Sequence, residues 1–148
     1  MTIFASYTRD ELRQTYSDAW RKRIAGLPQS PLEAMISDVI ELHAEYQPLI
    51  GDVIKAQEFE ANPGAGATNP FLHMGLHLAV REQLSIDRPL GVRQLHHQLL
   101  ERFGGRHAAD HMLMDALAET LWEAQRTGTV PNEAQFLARG ARALLRNI

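Results

Sequence analysis

The stretch NPFLHMGLHLAVREQ, which runs from Asn69 to Gln83, decides the fold. Asparagine is a preferred N-cap and proline is favoured at the first helical position, so Asn69 and Pro70 predict the start of a helix. Apolar residues then recur at helical spacing over the following turns. At about 100° per residue, His73 and His77 lie on the same apolar face as Leu76, Val80 and Leu84. The stretch therefore predicts a largely buried helix with two histidines on its core-facing side.

Start and stop signals along the rest of the chain predict further helices. Thr8 with Glu11, and Ser30 with Glu33, have the spacing of a capping box. The helix that follows Ser30 is expected to run from Pro31 to about Tyr46. Other helices are expected over about 8–26, 70–85, 92–103, 107–126 and 131–145, with a short helical piece near 49–60.

These patterns predict an all-α fold. We expect a helical bundle of about five to six helices that forms a single domain over residues 1–148. No run of alternating β-branched residues indicates a strand. The glycine- and proline-rich residues at about 61–68 are expected to form a flexible loop. Gly75 costs roughly 1 kcal/mol relative to alanine inside a helix, and close approach of another helix would explain it.

Composition excludes several classes of function. The chain has 148 residues and a net charge of −3, which argues against a protein that coats nucleic acid. It has no cysteine, so disulfides, thiolate metal sites and thiol nucleophiles are excluded. No apolar run is long enough to span a membrane, and no signal-peptide run occurs near the start. We therefore expect a soluble, cytoplasmic protein with no membrane partner.

Histidines of other predicted helices also lie on apolar faces. His43 lies in the apolar stripe of the helix after Ser30, and His96 lies inward on the helix over 92–103. His107 and His111 repeat the four-residue spacing in the segment HAADH, and both fall on the apolar arc of their helix. Asp110 falls on the same arc, which is unusual for a carboxylate.

Two histidines four residues apart on one helix face can bind a single ion. Two such pairs on facing helices would supply four nitrogens, and an all-nitrogen set without thiolate suits Zn, Fe or Ni. The expected ligands are His73, His77, His107 and His111, with His43 and Asp110 in support. Asp110 would either coordinate the ion or hold one histidine in the required tautomer.

A second interpretation needs no metal. Each buried imidazole requires partners for both ring nitrogens, and protein groups or water can provide them. The protein would then be a structural or protein-interaction module, for instance a homodimer. No sequence motif indicates a nucleophile, a phosphate-binding loop or a protease site. Whether the protein is an enzyme, and which small molecule it binds, are left open.

Three segments resemble a family of uncharacterised bacterial proteins, domain of unknown function 1841. They are NPFLHMGLHLAVREQ, RPLGVR (Arg88 to Arg93) and HAADHMLMDALAETLWEAQR (His107 to Arg126). The resemblance extends from about Phe4 to Arg126 and is weakest in the last helix. It implies no activity. It implies that the family pattern includes the four paired histidines and the Glu82–Gln83 pair. Asp110 stands where that pattern has glutamate, and its shorter side chain puts a strict ligand role in doubt.

Overall fold

The computed structural model describes residues 7–59 and 69–146 of the chain. These residues form eight α-helices and no strand, which confirms the all-α prediction. The helices are α1 Arg9–Ala25, α2 Pro31–Glu41, α3 Gln47–Ile50, α4 Val53–Glu58, α5 Pro70–Ile86, α6 Val92–Phe103, α7 Arg106–Thr127 and α8 Glu133–Arg142. The predicted number of five to six was too low, because residues 44–58 form a 3₁₀ turn and two short helices. The loop predicted at about 61–68 lies outside the described residues.

The chain divides into two compact units, Met1–Leu78 and Ala79–Ile148. The grouping of the whole chain into a single domain stays a prediction. In the described parts of both units, none of the helices combines the length and the hydropathy that crossing a bilayer requires.

The first unit contains an α1–α2 hairpin whose two helices begin with the predicted capping boxes. The side chains of Thr8 and Ser30 accept from the third helical N–H, and Glu11 and Glu33 accept from the two N-cap N–H groups. The side chains of Gln29 and Ser37 both donate to the carbonyl of Ala19, at 2.7 and 3.0 Å. These bonds satisfy a main-chain acceptor between the helices. The core of the unit then consists of Tyr16, Ala19, Trp20, Ile36, Val39, Ile40, Ile50, Met74 and Leu78.

The helix α2 ends at Glu41, five residues earlier than the sequence predicts. Pro48 lacks an N–H and fits only the first turn of a helix, so α2 cannot continue into α3. The break comes at His43, whose backbone N–H donates to Ile40 rather than to Val39. The His43 imidazole donates to the Val39 carbonyl instead, at 2.7 Å. His43 is therefore not on the apolar stripe of a helix, yet it is buried, with 3% of its surface exposed.

The second unit packs α6, α7 and α8 around buried aliphatic side chains that include Leu95, Leu99 and Leu113. Gly140 of α8 allows the closest approach. A Cβ added there would lie 2.8 Å from Leu95 and 3.2 Å from Leu113. Gly75 differs, because no described atom beyond its own helix backbone and chain neighbours lies within 4 Å of a Cβ built on it. The close approach expected at Gly75 is thus absent among the described residues.

Candidate metal centre

Three histidine side chains converge in the first unit. His43 lies in the segment after α2, and His73 and His77 lie one turn apart on α5. Each offers a ring nitrogen, and the three nitrogens lie within 4.8 Å of one another. His43 and His77 are buried and His73 is partly buried. The sequence-predicted pair on α5 thus lies next to His43, which sequence phase also assigned to the interior.

The tautomer of His43 follows from its contact with the main chain. A carbonyl oxygen only accepts hydrogen bonds, so Nδ1 of His43 must carry the proton that it donates to Val39. In the neutral ring, Nε2 then carries a lone pair. This nitrogen lies 2.9 Å from Nε2 of His73. Histidine ligands of metals commonly donate their other N–H to a carbonyl in this way, which orients the ring and strengthens its basicity.

The spacing of these nitrogens can be compared with the requirement of an ion. Two nitrogens that lie about 2.0–2.1 Å from one zinc ion, at roughly 90–110° to each other, are about 2.8–3.4 Å apart. The 2.9 Å between His43 and His73 lies at the lower end of that range. The remaining nitrogens of the three histidines are at most 4.8 Å apart, a separation that small side-chain rotations would bring into the same range. The residues present fit an ion that accepts imidazole nitrogen.

The aromatic ring of Tyr46 packs against two of the three histidines. The ring of Tyr46 stacks on His43 with centroids 5.3 Å apart and 3° between planes, and it meets His73 edge-on at 5.7 Å. Burial raises the pKa of the Tyr46 phenol, and the charge of Glu45 raises it further. The Tyr46 side chain beside the histidines is therefore uncharged at physiological pH. Sequence analysis missed it, because Tyr46 was assigned to the end of a longer α2.

Asp110 has two strong partners in the second unit. Its Oδ2 accepts from Nε of Arg81 at 3.0 Å, and its Oδ1 lies 2.8 Å from Nε2 of His96. The carboxylate is fully buried, and the two partner side chains are 9% and 13% exposed. The predicted inward position of Asp110 is confirmed. Its role in support of a metal stays a prediction, and its observed contacts are those of a buried ion pair. Helical phase predicted that His96 and Asp110 face inward, whereas nothing in the sequence indicated that Arg81 is buried with them.

The α7 histidines lie together but differ in burial. The rings of His107 and His111 have centroids 4.1 Å apart, as their four-residue spacing predicts. His111 is partly buried, whereas His107 is exposed, so the prediction that both face inward is wrong for His107. His107 is the second residue of α7, and the buried positions begin two residues later, at Ala109. Their predicted role as metal ligands stays a prediction. His97, on the exposed side of α6, contacts Glu101.

Comparison with known proteins gives a family. Residues 8–142 match the family model described as Domain of unknown function (DUF1841), which covers nearly the whole chain. The chain belongs to this family. The match extends to the last residue of α8, beyond the region where the sequence resemblance was clear. No curated protein and no solved structure matches the chain.

Proposed function

We propose that this protein binds one transition-metal ion through His43, His73 and His77. The observation that carries the proposal is the fixed tautomer of His43, whose bond to Val39 directs the lone pair of Nε2 toward the α5 histidine pair. Three neutral imidazoles with no thiolate suit Zn, Fe or Ni. Burial of His43 and His77 limits competition from water for the ion.

The α7 residues enter the proposal from the sequence alone. A zinc site needs a fourth ligand, and zinc, iron and nickel all accept imidazole or carboxylate. The repeated four-residue spacing predicts His107 and His111 as further ligands, with Asp110 in a supporting role. These three residues are tested separately from the three in the first unit.

The deciding experiment is elemental analysis of protein purified without a histidine tag. It compares wild type with the His43→Ala/His73→Ala double variant, as isolated and after dialysis against Zn²⁺, Fe²⁺ or Ni²⁺. We expect about one ion per wild-type chain and none in the double variant. His97→Ala is the matched control, because it removes an exposed histidine and should leave the metal content unchanged. A metal-loaded wild type that retains no stoichiometric ion would refute the proposal.

Single variants then define the ligand set. His107→Ala and His111→Ala should weaken binding if either residue coordinates the ion, and Asp110→Asn should do so if its carboxylate takes part. Binding of Co²⁺ is a suitable measurement, because its visible spectrum reports coordination number and ligand type. Unchanged affinity in all three variants would restrict the site to the first unit.

The metal-free interpretation is supported by the same 2.9 Å contact, which is a normal length for a hydrogen bond between two imidazoles. His73 would then donate from Nε2 to the lone pair of His43. The histidines would be core polar groups of a structural or interaction module, and homodimerisation stays a prediction. The two proposals differ in their response to a chelator. Loss of an ion present at 100 times its dissociation constant removes about 2.7 kcal/mol of stability, whereas a metal-free protein is unaffected.

A further inference from the structure

A cavity of about 250 Å³ lies in the second unit, at the turn that joins α7 to α8. One water molecule requires roughly 10–15 Å³ by the same measure, so the cavity has room for a small organic molecule. Its walls include Thr120, Glu123 and Thr127 from α7, and Asn132, Gln135 and Arg139 from the N-cap and body of α8. None of these residues belongs to the proposed metal site.

Arg139 gives this cavity a buried donor. Its side chain is only 10% exposed, although arginine side chains usually lie on the surface. Nη1 donates to Thr120 at 3.0 Å, and Nη2 is bonded to the carboxylate of Glu123. The Nε–H has no hydrogen-bond acceptor in the described structure. The nearest carboxylate oxygen, on Glu119, is 3.5 Å away and contributes only an ion-pair contact. This Nε is closed to solvent, but a guanidinium has five N–H groups, and the bonds to Thr120 and Glu123 use only two of them, so donors remain for a ligand oxygen in the cavity.

The charges around Arg139 restrict what such a ligand can be. One guanidinium contacts two carboxylates, Glu119 and Glu123, so the group carries one net negative charge. An anion alone would be repelled by this group. A molecule that also carries an ammonium group would pair with Glu123, which lines the cavity near the C-terminal end of α7. The carbonyl ends of a helix favour a cation, and the N–H end of α8, capped by Asn132, favours an anion.

We propose that this cavity binds a small zwitterion of the α-amino acid class. The carboxylate accepts from the guanidinium of Arg139, and the ammonium group donates to Glu123. The amide of Gln135 and the hydroxyl of Thr127 supply hydrogen bonds to the rest of the molecule. The proposal is independent of the metal site, because all of its residues lie on α7, α8 and the turn between them.

Binding can be measured by amide chemical shifts in ¹⁵N-labelled, chelator-treated protein, so that metal–amino acid complexes do not interfere. The probes are glycine, L-serine and L-glutamine. Acetate and methylamine are the matched controls, because each carries only one of the two charged groups. We expect saturable shifts over residues 120–139 with at least one amino acid, and affinity at least about tenfold weaker for acetate and methylamine.

Variants test the assigned contacts. Glu123→Gln and Gln135→Ala should each weaken binding about tenfold or more, and Arg142→Gln, an exposed arginine on the same helix, should have no effect. Arg139→Gln should abolish binding, and the two milder variants keep the test valid if this change unfolds the unit. The proposal is overturned if no amino acid gives saturable shifts, if acetate or methylamine binds as well, or if Arg142→Gln weakens binding equally.

Discussion

The buried pair that Asp110 forms makes a strong prediction about stability. Replacement of Asp110 by alanine removes two hydrogen bonds, at 3.0 Å to Arg81 and 2.8 Å to His96. It leaves the Arg81 guanidinium, which is 9% exposed, without its buried counter-charge. Loss of one partner from a buried ion pair costs about 3–5 kcal/mol. The slight exposure of Arg81 and His96 favours the lower end, so we expect a loss of about 3 kcal/mol.

Urea unfolding followed by circular dichroism measures this loss. At about 2–4 °C per kcal/mol for a chain of this length, the melting temperature should fall by about 6–12 °C. Asp115→Ala removes an exposed carboxylate from the same helix and should change stability by less than about 0.5 kcal/mol. In a Trp122→Phe background, Trp20 fluorescence follows the first unit alone, so the effect can be assigned to a unit.

The reasoning would be refuted if Asp110→Ala lowered the free energy of unfolding by less than about 1 kcal/mol, because the carboxylate would then not be stabilising the buried Arg81 guanidinium. A double variant, Arg81→Met/Asp110→Leu, supplies a further check. Replacement of a buried ion pair by apolar residues of similar volume is often neutral or stabilising. The double variant should therefore be more stable than Asp110→Ala.

Three further predictions concern stability. Gly75→Ala should stabilise the protein by about 0.5–1 kcal/mol, because the added Cβ contacts no described neighbour. Gly140→Ala must displace Leu95 and should therefore give no gain in stability. Thermal unfolding of the two variants tests this difference. The Lys22 ammonium and the Ser30 backbone lower the pKa of Glu33 below 4.5, so its contribution is present above that pH and is lost as pH falls further. In urea unfolding at several pH values, Glu33→Gln should be less stable than wild type at pH 6, and the difference should vanish in acid. Burial raises the pKa of Tyr16 from 10.0 to about 12, so the wild type should lose stability as the pH rises from about 10 to about 12. Phenolate absorbance and urea unfolding would measure the titration and the loss, and the Tyr16→Phe variant should lose less stability over the same pH range.

Local sequence signals predicted most of the helix boundaries. Thr8, Ser30 and Asn69 mark the starts of α1, α2 and α5, and Gly104 and Gly128 end α6 and α7 in left-handed conformation. These signals work because a capping side chain or a left-handed glycine acts within one turn of its own position. The end of α2 was missed because it depends on a competition that no local pattern reveals. There the His43 ring replaces a backbone donor to Val39.

The candidate site was predictable where helical phase alone decides it. His73 and His77 share a face of α5 because of their spacing, and the burial of Asp110 also followed from phase. Phase could not place His107, because it gives a direction around the helix axis and says nothing about where along the axis the core ends. It also could not identify Arg81 or Arg139 as buried cations. Long basic side chains are usually solvated, and only tertiary partners such as Asp110 and Glu123 hold them inside.

The α1–α2 hairpin has a consequence for the order in which a newly made chain acquires its structure. The hydrogen bonds that join its two helices, such as Lys22 with Glu33 and Ser37 with Ala19, connect residues at most 18 positions apart. Local contacts of this kind form early. His73 follows His43 by 30 residues, which takes roughly 2–6 s of synthesis at about 5–20 residues per second. We therefore expect His43 to be oriented on the nascent chain before α5 emerges, so that the arrival of α5 is the event that closes the histidine cluster.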